Sequence, residues 1–328
     1  MKSSASRRMP ASKLPDARVT QMQINKDSHI LAEELPAGGD YETGAVPGNA
    51  DSAFFPKQPF FPGRPVADSH CHIYPDRISG KAVHAIDRFY DGLPTAHSDG
   101  TVRTLLENGK AIGISHFIVH SVATAPEQVS SINHFMARTV QEAGGAFTGL
   151  GTMHPETDDP VRDIDELCSL GLSGVKLHPD IQRFRADGRE AMRIFELCED
   201  RGLPVLVHTG DFRYDYSNPD RIVRILRSFP KLTFIGAHFG GWSVWDEAIR
   251  KLPDFENFKV DTSSSFYWLK MDEARSIIRL YGSERVMFGT DYPLWTPENE
   301  LRYIKKLDLT EKEYDNILWL TCSRLFHL

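Results

Sequence analysis

The chain has 328 residues, of which 41% are hydrophobic and 25% charged, and it carries a formal net charge of −7. These values are ordinary for a globular protein, and the length fits either two domains or one α/β barrel of about 250 residues with an extension. The negative charge argues against a nucleic-acid partner, which would need a basic face, and no apolar run is long enough to predict a membrane span.

The first 62 residues differ in composition from the rest of the chain. They are rich in Ser, Pro, Gly and Ala and show neither helical nor strand periodicity. We therefore expect an extended or partly disordered segment at 1–62 and a single domain at 63–328. The four cysteines are scattered, with no C-x-x-C pair. This usage indicates a reducing compartment and predicts a cytoplasmic protein.

From residue 66 onward, short β-rich runs alternate with longer amphipathic stretches. Strands are predicted at 66–71, 116–121, 147–153, 173–178, 204–209, 232–237, 257–262 and 285–290. Helices are predicted near 101–112, 126–143, 159–170, 187–201, 218–229, 242–252, 270–281, 298–307 and 310–326. Eight strands alternating with helices predict a (β/α)8 barrel. A doubly wound sheet shares this alternation, but it needs a glycine-rich phosphate loop after its first strand, and that loop is missing from the sequence.

The first predicted strand ends in His70-Cys71-His72. Alternate side chains of a strand share a face, so the two imidazoles lie on one side and form a pair of ligands suited to zinc. A single His-x-His pair is weak evidence, because such pairs arise by chance.

Ligand-type residues also end later strands. In a barrel, the carboxyl ends of the strands meet at one mouth, where the chemistry takes place. The residues in this position are His70, His72, Lys176, His178, His208, His238 and Asp291. So many polar strand ends predict one shared site rather than separate core histidines. His120 and His154 end the second and third strands, and we interpret them as supporting or loop residues.

The motifs DSHCH, GVKLHP, VLVHTG, GAHFGG and FGTDYP together resemble the amidohydrolase superfamily. More narrowly, they resemble the branch that contains aminocarboxymuconate semialdehyde decarboxylase, related decarboxylases and many hydrolases. The resemblance covers about residues 66–327. It implies a TIM barrel and a metal-dependent enzyme.

The resemblance also implies roles for single residues. His70, His72, His208 and Asp291 would bind one divalent metal, most often zinc. His238 and Asp291 would be the catalytic acid–base groups.

Lys176 leaves two alternatives open. In binuclear relatives a lysine at this strand end is carboxylated and bridges two ions. The resemblance would then place His70, His72 and Asp291 on one ion and His208 and His238 on the other. With a single ion, Lys176 would face the substrate instead. We favour one ion.

Three functions are compatible with these patterns. The favoured one is a hydrolase in which metal-activated water attacks a C–N or C–O bond of a small carboxylated or aromatic molecule. The alternative is a non-oxidative decarboxylase of an aromatic or unsaturated carboxylic acid. A non-catalytic binding barrel is the third, although it would be expected to lack a ligand and none is missing. Arg183, Arg213 and Trp295 lie in the predicted loops and are candidate substrate contacts. Relatives in this branch also make a homodimer an expected assembly.

Overall fold

The computed structural model describes residues 58–92 and 96–328. Its strands are β1 (Ala67–His72), β2 (His116–His120), β3 (Phe147–Gly149), β4 (Gly151–Thr152), β5 (Val175–Leu177), β6 (Val205–Val207), β7 (Phe234–Gly236), β8 (Phe258–Asp261) and β9 (Val286–Met287). All of the paired strands are parallel. The predicted (β/α)8 barrel is confirmed.

The strands pair in two sheets, in the orders β1–β2–β3 and β4–β5–β6–β7–β8–β9. Leu150 separates β3 from β4, and its amide donates to the carbonyl of Val119, so the chain passes from one sheet to the other as one strand. The segment after β9 closes the ring on β1, where the amide of Ser69 donates to the carbonyl of Phe288 at 2.8 Å. A closed barrel leaves no sheet edge and brings the carboxyl ends of all its strands to one mouth.

Helices surround the barrel. They are α1 (Asp76–Phe89), α2 (Val102–Ala111), α3 (Val129–Glu142), α4 (Pro160–Ser169), α5 (Pro179–Gln182), α6 (Arg189–Asp200), α7 (Pro219–Ser228), α8 (Trp245–Lys251), α9 (Met271–Tyr281), α10 (Pro297–Lys306), α11 (Glu311–Asp315) and α12 (Thr321–Phe326). A π-helical turn at Asn316–Leu320 joins the last two. In the described part of the chain, no helix combines the length and the hydrophobicity that a bilayer crossing needs.

The barrel interior is filled by apolar side chains of the strands and of residues directly next to them. They form one buried cluster of Ala67, Ile118, Leu150, Leu206, Ile235, Ala237 and Met287, to which the last helix adds Cys322 and Phe326. The polar residues follow this cluster along each strand. The apolar core therefore fixes the barrel and leaves the carboxyl ends of the strands available for chemistry.

Helix α1 is not among the predicted helices. It has one buried residue, Ser79, and Gly80 interrupts its sequence pattern. Its apolar residues Ile78, Ile86 and Phe89 line a cavity instead of packing into the core. A search for a core-facing stripe misses such a helix, because the stripe it presents is the wall of a pocket.

The predicted N-terminal segment at 1–62 lies mostly outside the described residues. Of its last five residues, Phe60 donates its amide to the carbonyl of Ile112 at 3.1 Å, and the ring of Phe61 lies 5.4 Å from that of Tyr314. The domain boundary at 62/63 stays a prediction.

Candidate metal centre

Three predicted ligands meet at the mouth of the barrel. The Nε2 atoms of His70 and His72 are 3.3 Å apart, and Asp291 Oδ1 lies 3.2 Å from the first and 3.4 Å from the second. His70 is fully buried, and the other two are 8% and 5% exposed. Ligands about 2.1 Å from a tetrahedral zinc are separated by about 3.4 Å, so these three atoms stand where ligands of one ion would stand.

Asp291 is held from several sides. Its backbone has a left-handed φ of 60°, which is uncommon outside glycine and concentrates at functional sites. Ser264 Oγ donates to Asp291 Oδ2 at 2.5 Å, and Trp295 Nε1 donates to Ser264 Oγ at 2.8 Å. Burial by itself would raise the pKa of Asp291, but the charge interaction with His70 and the hydrogen bond with His72 hold it well below its usual value. The carboxylate is therefore ionised and fixed in orientation.

Asp261, at the end of β8, orients His70. His70 Nδ1 lies 2.8 Å from Asp261 Oδ2, so the ring donates from Nδ1 and turns the lone pair of Nε2 towards His72 and Asp291. The other oxygen of Asp261 accepts the amide of His238 at 3.0 Å. Sequence reasoning missed this residue. Asp261 could have been found by the pattern that identified Asp291, a carboxylate at the end of a predicted strand.

His208 and His238 form a second pair. His208 Nε2 donates to the carbonyl of Gly210 at 3.0 Å, and His238 Nδ1 donates to the carbonyl of Ser263 at 2.9 Å. The remaining nitrogens, His208 Nδ1 and His238 Nε2, face each other at 3.0 Å. A neutral imidazole has one N–H, so both facing atoms carry lone pairs.

Burial keeps these imidazoles neutral. It lowers the pKa of His238 to about 4, against the opposing effect of Asp291, and lowers the pKa of His208 well below its usual value. Two neutral lone pairs 3.0 Å apart repel each other unless a cation lies between them. The pair therefore fits a metal as well as the first group of ligands does.

Lys176 lies beside both groups. It is fully buried, and its Nζ is 3.0 Å from His70 Nε2. Burial lowers the pKa of Lys176 to about 8, although Asp291 and Asp261 oppose the shift. At neutral pH, Lys176 is therefore in the neutral amine form to a larger extent than an exposed lysine would be.

His178 stacks on His208, with ring centroids 3.9 Å apart. Its Nδ1 accepts the amide of Ile181 at 3.2 Å, so its Nε2 is the donor to Tyr90 Oη at 3.1 Å. The hydroxyl hydrogen of Tyr90 is consequently free to point elsewhere in the cavity. Tyr90 was not identified from the sequence, since it follows the unpredicted helix α1.

The model of the amidohydrolase family matches residues 67–328. The chain belongs to the amidohydrolase family. No curated protein is significantly similar to its sequence.

Three solved structures place this amidohydrolase among related barrels. A 5-carboxyvanillate decarboxylase from Sphingomonas paucimobilis is 18% identical, over 80% of this chain and 99% of its own, with a TM-score of 0.63. A dihydroxybenzoic acid decarboxylase from Polaromonas, solved with manganese and 2-nitroresorcinol, is 15% identical over 81% and 97% of the two chains, with a TM-score of 0.62. A candidate 2-pyrone-4,6-dicarboxylic acid hydrolase from Pseudomonas putida is 19% identical over 80% and 97%, with a TM-score of 0.57.

At these identities the structural likeness establishes the fold alone, and the family match carries the assignment. This amidohydrolase is a metal-dependent enzyme whose His and Asp groups suit a divalent ion. The similar structures include decarboxylases as well as a candidate hydrolase, so they do not choose between the two reactions.

The three predicted substrate contacts have different surroundings in this amidohydrolase. Arg183 lines the cavity above the site. Arg213 and Trp295 are not among the described residues that line it. Arg213 binds Asp211 through two nitrogens, at 3.0 and 2.7 Å, while Trp295 is 2% exposed. The contacts of both residues support other parts of the site, and their roles in substrate binding stay predictions.

Proposed function

We propose that this amidohydrolase is a hydrolase of an anionic small molecule that binds in the cavity above the barrel mouth. The cavity has a volume of about 1020 Å³, which suits a molecule of metabolite size. Its floor contains His72, Lys176, His208 and Asp291. The candidate metal site and the space for a substrate are thus continuous.

The charge of the cavity wall carries the proposal. Four arginines line it: Arg77, Arg88, Arg138 and Arg183. None of them has a side-chain hydrogen bond or ion pair with any residue that the structure describes, and Asp291 is the one carboxylate among the described lining residues. All four side chains are exposed, so they lie at the solvent side of the cavity. In a protein of net charge −7, four arginines without an acidic partner in the described part of the chain, around one cavity, favour a ligand with carboxylate or phosphate groups.

We propose that the site binds two ions, because the facing lone pairs of His208 and His238 fit a second cation. The sequence analysis favoured a single ion and kept the two-ion site as the alternative. His70, His72 and Asp291 would hold one ion, His208 Nδ1 and His238 Nε2 the other, and Lys176 would lie between them as a carbamate. Zinc suits imidazole and carboxylate ligands, and manganese is the competing metal. A bound divalent ion of this kind supplies Lewis-acid polarisation of the substrate and lowers the pKa of water.

The side chains of the chain itself would divide the remaining work. The arginines would bind the anionic groups of the substrate and orient the scissile bond towards the floor. Asp291, with its second oxygen held by Ser264, would accept the proton of the attacking water and return it to the leaving group. With a single ion, His238 Nε2 would be the base, because its lone pair is already exposed by the bond from Nδ1 to Ser263.

A decarboxylase is the second candidate, because the same arginines would bind an aromatic carboxylate. Decarboxylation needs a proton donor for carbon, whereas most of the floor consists of acceptors. His72 and His208 are neutral, and Asp291 is ionised. Lys176 could donate only while it is not a carbamate, and the hydroxyl of Tyr90 on the cavity wall is the other donor. The preponderance of acceptors favours hydrolysis.

The test uses the full-length protein, freed of metal and reloaded with zinc or manganese. We expect acid release from carboxylated lactones, esters or amides, and a loss of turnover in Asp291→Asn. Arg183→Ala should raise KM for carboxylated substrates more than for uncharged ones. Release of carbon dioxide from aromatic acids without hydrolysis would replace the hydrolase by the decarboxylase, and a loaded protein inactive on both panels would favour the binding barrel.

Elemental analysis of the loaded protein tests the number of ions. Two ions per chain, falling to one in Lys176→Ala, would support the two-ion site, and one ion in both would return the proposal to the single-ion form. The predicted cytoplasmic location and homodimer stay proposals, to be checked by cell fractionation and by light scattering.

A further inference from the structure

His120 is the last residue of β2 and lies beside the candidate ligands. In the pairing of β1 with β2, its Cα is the register partner of His72. Its ring meets the rings of His70 and His72 edge-on, with centroids 4.8 and 4.4 Å apart. Its side chain is fully buried.

Neither ring nitrogen of His120 has a hydrogen-bond partner among the described residues. Buried polar groups are rarely left in this state. Other buried histidines have partners, such as His116, whose Nε2 lies 2.9 Å from Thr148 Oγ1 on the same sheet. An unpartnered imidazole beside two candidate ligands needs an explanation of its own.

The cavity does not supply the missing partner. His120 is not among the described residues that line the cavity, while its neighbour Ser121 is. The ligand atoms of His70, His72 and His120 all lie within 4.8 Å of one another. These three nitrogens lie close enough together to share one ion inside the barrel mouth.

We propose that His120 is a further ligand of the ion held by His70 and His72. The ion would then bind imidazoles from the neighbouring strands β1 and β2. His120 is not among the ligands that the family resemblance implies. The inference rests on the metal site of the proposed function.

The test replaces the ring by one that cannot ligate. His120→Phe keeps most of the volume and removes both nitrogens, and His116→Phe is the matched control at the other end of the same strand. Metal affinity is measured by competition with a chromophoric chelator, and the cobalt-substituted proteins are compared by visible absorption. We expect an affinity loss of about 100-fold or more in His120→Phe, since even residues that only orient ligands cost 10–100-fold. Its cobalt spectrum should change, while His116→Phe keeps the wild-type affinity and spectrum.

A second measurement needs no variant and remains valid if His120→Phe fails to fold. In a crystal structure of the zinc-loaded wild type, the anomalous peak should lie about 2.1 Å from a ring nitrogen of His120. An ion bound by His70 and His72 but more than about 3 Å from His120, or an unchanged affinity in His120→Phe, would overturn this inference and leave the proposed function intact. A wild-type protein that binds no metal would overturn both.

Discussion

Arg213 provides the most demanding test of the structure, because sequence and structure give it different roles. Its guanidinium binds Asp211 through Nε and one terminal nitrogen and donates to the carbonyl of Phe89 at 2.7 Å. It also lies 4.9–5.5 Å from the rings of Phe89, Tyr90, Tyr214 and Trp242. The arginine thus ties the end of α1 to the loop after β6.

The expected cost of Arg213→Ala follows from burial. The side chain of Asp211 is fully buried and that of Arg213 is 17% exposed. Removing one partner of a buried ion pair costs about 3–5 kcal/mol, because the other charge is left unpaired. Since the guanidinium is partly exposed, we expect about 3 kcal/mol. Arg213→Lys keeps the charge but not the planar fork and should lose about half as much.

Urea unfolding followed by circular dichroism measures the free energy of unfolding. Arg193→Ala is the matched control, since Arg193 also pairs with an acidic residue, Glu196, but both side chains of this pair are exposed, by 46% and 51%. Exposed pairs contribute about 0–1 kcal/mol, so this variant should be nearly as stable as the wild type. The double variant with Asp211→Asn should recover part of the loss caused by Arg213→Ala, because it removes the buried charge.

A loss below about 1 kcal/mol in Arg213→Ala, equal to that of the control, would refute this reasoning. If the same variant raised KM for an anionic substrate, the substrate contact predicted from the sequence would be right. A large loss of stability with an unchanged KM would establish the supporting role.

Three further predictions concern the site and the packing around it. Ser264→Ala removes the hydroxyl that orients the candidate ligand carboxylate of Asp291, so metal affinity should fall about 10–100-fold. Ser265→Ala loses only a hydrogen bond to a backbone carbonyl and should keep the wild-type affinity. Equal affinities of the two variants in a chelator competition would contradict this role of Ser264. Removal of metal should lower the melting temperature, since an ion at about 1,000 times its Kd stabilises the folded state by about 4 kcal/mol, and identical melting curves with and without metal would contradict binding to the native fold. Gly109→Ala places a Cβ 2.5 Å from Phe117 Cζ and should lower the free energy of unfolding in urea by about 1–3 kcal/mol. Gly80→Ala, where no atom lies within 4 Å of the new Cβ, should raise it by up to about 1 kcal/mol. The opposite order would contradict the contact between helix α2 and Phe117.

The barrel and the candidate residues at its mouth could be predicted from the sequence because both depend on local patterns. A run of apolar residues that ends in a histidine or aspartate needs no knowledge of distant partners. Parallel strands in a closed ring must then bring those endings to one mouth, as they do for His70, His72 and Asp291.

Other features depend on residues that are remote in the chain, and the tertiary structure alone decided them. Helix α1 has no apolar stripe that faces the barrel core. Its apolar residues line the cavity instead, and only the tertiary structure reveals that cavity. The ring nitrogen that faces the mouth in His208 and His238 is set by carbonyls of Gly210 and Ser263, which no sequence pattern reveals.

The sequence by itself therefore determined the order of the strands and the kinds of residue at their ends. Tertiary contacts decided which arginines form internal ion pairs and which line the cavity, as Arg213 and Arg183 show. The physical reason is that a hydrogen bond or ion pair depends on distance in space. Residue type and periodicity, in contrast, are properties of the chain.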